Sequence, residues 1–133
     1  QVGVRNIIDK NSADRVFKVL EQDETEMNKN WNKRYRDNME KLKSGDIYEI
    51  ADVVRNLAFK QKEKGLSTGE KKMLNNARQI LVSELVLAEH SNKDEIEELV
   101  DNKINNSFLM FKADDTAKQS VVNKFIPFDG TNE

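Results

Sequence analysis

Ser67-Thr68-Gly69-Glu70-Lys71-Lys72-Met73-Leu74-Asn75-Asn76-Ala77-Arg78-Gln79-Ile80-Leu81-Val82-Ser83-Glu84-Leu85-Val86-Leu87-Ala88-Glu89 is the stretch that decides the fold. It opens on a capping box, in which Ser67 and Glu70 satisfy each other's orphan backbone amides. Met73, Leu74, Ala77, Ile80, Leu81, Leu85 and Ala88 then recur at helical spacing. Val82, Val86 and Leu87 widen the stripe, so this reads as the central helix, covered on several sides.

Upstream, Gly65 closes a preceding helix that begins after Asp46, with Glu49 three residues on. Ile47, Ile50, Ala51, Val53, Val54, Leu57 and Ala58 form its apolar side. Before it, a segment from about Asn30 to Lys43 stops at Ser44-Gly45, where glycine suits the left-handed position past a helix end. A first helix is expected after Ser12, carrying Val16, Phe17 and Leu20, and the acidic stretch Glu21 to Glu26 reads as a loop. Downstream, Asn92 and Glu95 open a shorter fifth helix with Ile96, Leu99, Val100 and Ile104. The expectation is an all-α, compact bundle of about five helices with a C-terminal extension.

Residues 1–10, with Val2, Val4, Ile7 and Ile8, read as an interdomain linker remnant, and 11–106 as the helical domain. Residues 107–133 form the extension. There Phe108, Leu109, Met110 and Phe111 make an apolar run, followed by Val121, Val122, Phe125, Ile126 and Phe128 around Pro127. Packing on the bundle is expected for this segment, since exposed apolar patches of that size are uncommon; meeting a partner is the alternative. The chain opens on Gln1, which suggests a piece of a longer protein.

The 133 residues are 37% hydrophobic and 35% charged, with no cysteine, which removes disulfides, thiolate metal sites and cysteine nucleophiles. No apolar run approaches the ~20 residues needed to cross a bilayer. No phosphate-cradling glycine loop appears, and the single His90 reads as a cation at a helix C-terminus. The expectations are therefore no enzyme activity, no catalytic residue, no metal and no cofactor, in a cytoplasmic, nucleoid-associated protein.

Net charge is −2, but it is unevenly spread. The run from Asn28 to Lys43 is net +4 and that from Arg55 to Arg78 is net +5, against −4 for Glu21 to Glu26 and −4 for Lys93 to Asp101. Such segregation can give an acidic domain one basic face, although charged helix faces are often merely solvated. The only tryptophan, Trp31, lies in the first basic run. On a helical wheel it shares a stripe with Tyr35, Met39 and Leu42, which favours a place in the core. Against that, it stands at a helix start, where a ring can project past the bundle and free N–H groups attract phosphate. Both readings stay open on the residues alone.

Asn30-Trp31-Asn32-Lys33-Arg34-Tyr35-Arg36, Glu40-Lys41-Leu42, Ser44-Gly45-Asp46, Val53-Val54-Arg55-Asn56-Leu57, Gly65-Leu66-Ser67-Thr68-Gly69-Glu70-Lys71 and Ala77-Arg78-Gln79-Ile80-Leu81-Val82-Ser83-Glu84-Leu85 together resemble the C-terminal domain of the CarD/CdnL family of bacterial transcription factors. Val2-Gly3-Val4-Arg5 and Ile7-Ile8-Asp9 are similar to that family's interdomain junction, so the resemblance covers about residues 1–90. It implies a helical domain binding double-stranded promoter DNA, joined to a Tudor-like domain, absent from this chain, that contacts the RNA polymerase β subunit. The family's tryptophan wedges into the minor groove at the upstream edge of the melted bubble and stabilises the open complex. Trp31 stands at its position, and Lys33, Arg34 and Arg36 fall on the basic cluster beside it. With Lys29, Lys41, Arg55, Lys71 and Lys72 added from the two basic runs, these are the expected DNA-binding residues. The competing expectation is a helical protein–protein interaction module without direct DNA contact, and no membrane association is expected.

Overall fold

The computed structural model describes residues 8–112. The described part is five α-helices joined by short turns and one longer loop: α1 Lys10–Leu20, α2 Trp31–Lys43, α3 Ile47–Glu63, α4 Thr68–Glu89 and α5 Lys93–Lys112. Most of the extension, including Val121, Val122, Phe125, Ile126 and Phe128, lies outside the described residues, as does Gln1 to Ile7 of the linker segment. No described helix is long and apolar enough to cross a membrane.

The helix starts follow from their caps. Asn30 accepts from the Lys33 amide, Asp46 from the Tyr48 amide and Ser67 from the Glu70 amide, each one satisfying a donor that the first turn leaves orphaned. Asn92 does the same for Glu95 at the start of α5. At α1 the cap is Asp9, which accepts from Ser12, so the helix begins two residues before the serine expected to open it. The carboxylate reaches the amide three residues on and makes a better anion at that positive end. Gly45 and Gly65, at φ +77° and +86°, turn the chain after α2 and α3. His90 itself takes the left-handed conformation after α4.

Two expectations need correction. The central helix is α3, not α4: α3 buries Ile47, Ile50, Ala51, Val53, Val54, Leu57 and Phe59, together with the polar Arg55 and Asn56. On α4, Ile80 and Leu87 remain 39% and 54% exposed, so its broad apolar stripe is only partly covered. The fifth helix is long rather than short. It continues through Ser107, whose hydroxyl is within 3.0 Å of the Glu21 carbonyl and 2.8 Å of the Gln22 carbonyl, and Phe108, whose ring meets Phe59 edge-on at 5.2 Å. The apolar run beyond Asn106 is thus helix that packs on the bundle at Phe108, while Met110 and Phe111 are exposed.

Candidate nucleic-acid interface

Trp31 is the first residue of α2, and it is 43% exposed. The rest of its stripe, Tyr35, Met39 and Leu42, is partly buried against the core. The helical spacing was therefore a true guide to the inward side, yet the ring at the helix start escapes it. The ring stacks on Tyr35, with centroids 5.2 Å apart and planes 20° from parallel. Its Nε1 donates to Ser67 Oγ at 3.0 Å. Ser67 caps α4, so the first turns of α2 and α4 meet beneath this one side chain. Both rings lie over Gly69, where a Cβ would stand 3.5 Å from Tyr35 Cε1 and 3.9 Å from Trp31 Cζ2.

The nine expected contact residues are Trp31 and eight cations, and the cations separate into two sets. Lys29, Lys33 and Arg36 are exposed on or next to the start of α2, as are Lys71 and Lys72 near the start of α4. None of the five forms an ion pair with a described residue. A partly apolar ring thus shares the starts of two helices with five exposed cations, and the positive ends of the two helix dipoles add to their potential.

The other three cations point elsewhere. Arg34 is 8% exposed, its Nε donating to Glu70 Oε2 at 2.7 Å and its guanidinium reaching the carbonyls of Asn28 and Lys29 at 3.3 and 3.2 Å. Arg55 is fully buried, donating to the Val19 carbonyl at 2.6 Å and to the side chains of Asp52 and Asn56. Lys41 pairs with Asp52 at 2.7 Å. Arg34 and Arg55 are therefore withdrawn from the surface, and Lys41 is held on an internal anion. Their positions on a wheel could not show this, because α2 turns its Arg34–Asn38 side inward: Asn38 is only 2% exposed. Of the second basic run, Arg78 is likewise tied to Asp101 and Glu97 on α5. The basic face is smaller than the charge runs suggested.

Burial pushes the Glu70 carboxyl up, but its hydrogen bonds from Arg34 and from the Ser67 amide, with the charges of Arg34 and Lys60, outweigh that and hold it below the ordinary carboxylate value. Asp52 behaves alike: burial raises it, while Lys41, Arg55 and Thr25 bring it below the ordinary range. Both carboxylates are thus committed anions, Glu70 enclosed in the bundle and Asp52 partly buried at its side. Sequence reasoning found the capping box of α4 but not its connection to Trp31, because nothing local links positions 36 residues apart. Among the described residues no cluster of histidines and carboxylates could hold a metal ion.

Comparison with known proteins bears on this surface. The family model described as the CarD C-terminal domain matches residues 15–101. The Bacillus subtilis (strain 168) protein named "Putative transcription factor YdeB" is 39% identical over 82 residues, which are 62% of this chain and 54% of that protein. The chain thus spans about half the length of the relative it matches.

Proposed function

The chain belongs to the family of CarD C-terminal domains, and on that premise we propose that it binds promoter DNA and stabilises the melted state with Trp31. The observation that carries this reading is the half-exposed indole, mounted where α2 and α4 begin, on the two helices whose first two turns and approach also carry the exposed Lys29, Lys33, Arg36, Lys71 and Lys72. Cations of this kind grip the sugar-phosphate backbone with little reading of sequence. A ring wedged into intact duplex costs a few kcal/mol, as an order of magnitude, for unstacking a base step. At the upstream edge of a transcription bubble that step is already open, so the ring regains stacking without the full cost. Trp31 then favours melted over closed DNA, and a difference of ~1.4 kcal/mol shifts the ratio tenfold. No bond is made or broken.

With a net charge of −2 the domain alone binds DNA weakly. A second domain contacting RNA polymerase, as the family resemblance implies, raises its effective concentration at the promoter. The test is Trp31→Ala in the full-length protein, followed by the lifetime of open promoter complexes. The expected result is a shortened lifetime, with the helical fold retained and a stability loss of only about 1–2 kcal/mol, since the ring is half-buried. An unchanged lifetime in a folded variant overturns the wedge.

A further inference from the structure

The indole ring has one polar atom, and the protein itself engages it. The Ser67 hydroxyl that accepts from Trp31 Nε1 has one proton and two lone pairs. All are used: it also accepts from the Glu70 amide at 3.2 Å and donates to Glu70 Oε1 at 3.2 Å. Glu70, 1% exposed, turns its other oxygen to Arg34 Nε at 2.7 Å. Arg34 returns to the carbonyls of Asn28 and Lys29, just ahead of Trp31. The chain of contacts is closed, running from the start of α2 through the capping box of α4 and back to the ring.

We propose that Ser67 is the positioning residue for Trp31: its hydroxyl, held by Glu70 and Arg34, fixes the orientation in which the indole stands out of the bundle. The inference rests on the reading of Trp31 as a DNA wedge. A half-exposed aromatic retained only by its stack on Tyr35 can turn about two side-chain bonds, and binding must then order it. The hydrogen bond to Ser67 meets that ordering in advance, because Ser67 is immobilised by a buried ion pair. Its neighbours could not do the same. Glu70 is enclosed, and Gly69 offers the ring no side chain.

The test uses this chain, whose sole tryptophan reports on itself. Time-resolved fluorescence anisotropy and acrylamide quenching of Trp31 are measured without DNA in Ser67→Ala, Ser67→Gly and Ser67→Thr. Glycine is a good helix cap without a hydroxyl, so Ser67→Gly separates loss of the indole contact from loss of the helix start. Faster local ring motion and stronger quenching are expected in the alanine and glycine variants, with recovery in the threonine variant. The preference for a forked over a fully paired duplex of the same sequence should fall about fivefold, the worth of one hydrogen bond. In a Trp31→Phe background, which lacks the N–H, the same Ser67 changes should leave that preference alone. Unchanged ring motion in Ser67→Ala and Ser67→Gly, or an equal loss of preference in the Trp31→Phe background, overturns the proposal. If the ring is freed but Trp31→Ala itself leaves the forked-duplex preference intact, the wedge reading fails while the positioning role of Ser67 stands.

Discussion

Arg34 and Arg36 sit two positions apart on one helix and have different work to do. Arg36 is exposed and makes no ion pair with a described residue, whereas Arg34 is enclosed against Glu70 and two backbone carbonyls. Removing one member of a buried pair strands the other charge, which costs about 3–5 kcal/mol. Arg34→Gln should therefore lower stability by that order in urea denaturation. Lys33→Gln and Arg36→Gln should stay within about 0.5 kcal/mol of the parent while weakening DNA binding across unrelated sequences. Equal stability losses at all three positions would contradict this division. Glu70 gives the pH counterpart. Its folded carboxyl lies below the ordinary value of 4.5, so its contribution is complete above that value and is lost as pH falls through the folded one. Glu70→Gln should be several kcal/mol less stable than the parent at neutral pH, and the gap should narrow as the solution is acidified below that ordinary value. A gap constant from neutrality to about pH 3 would show that the carboxylate charge is irrelevant to folding.

At the scale of elements, the helix ends follow from local chemistry, and the long-range pairings do not. Ser67 with Glu70, Asp46, Asn30 and the turns at Gly45 and Gly65 all stand where cap and turn chemistry put them, since each depends on atoms within a few residues. The length of α5 was hidden because Asn105, Asn106 and Ser107 look like loop residues. Tertiary contact overrides that weak preference: Ser107 bonds the carbonyls that leave α1, and Phe108 rests on Phe59. Lys112, the last described residue of α5, pairs with Glu24 at 2.7 Å and so ties down the acidic loop that leads to Trp31. Two truncations separate these parts. Ending the chain after Asn106 removes Ser107, Phe108 and Lys112, and thermal denaturation should show it less stable by at least about 2 kcal/mol than a chain ending after Lys112, given the loss of one partly buried aromatic contact and a hydrogen bond. Equal stability of the two would mean that the last turns of α5 contribute nothing to the bundle.

At the scale of the whole bundle, among the described residues, segregation of charge along the sequence is partly cancelled in space. Arg55 and Lys41 meet Asp52, Arg34 meets Glu70, Arg78 meets Asp101, and Lys103 and Lys112 meet Glu21 and Glu24. A charge run reports only composition, so it cannot distinguish a cation that faces solvent from one that bridges two helices. Of the eight cations expected at the DNA, the five on the starts of α2 and α4 stay free, and their number sets the scale of a measurable quantity. Each phosphate neutralised contributes ~0.9 to the slope of log affinity against log salt. The five free cations of that set account for a slope of about −4.5, and all eight would account for about −7. Titrating this chain with a short forked duplex at several salt concentrations should give a slope between about −3 and −4.5, with roughly one unit lost on each of Lys33→Gln and Arg36→Gln and none on Lys41→Gln. A slope near about −7 that also loses a unit on Lys41→Gln would mean that the internal ion pairs open on binding and release Arg34, Arg55 and Lys41 to the DNA. The bundle would then have to loosen at its α2–α3 and α2–α4 contacts each time it bound, at the expense of the mount that holds the indole.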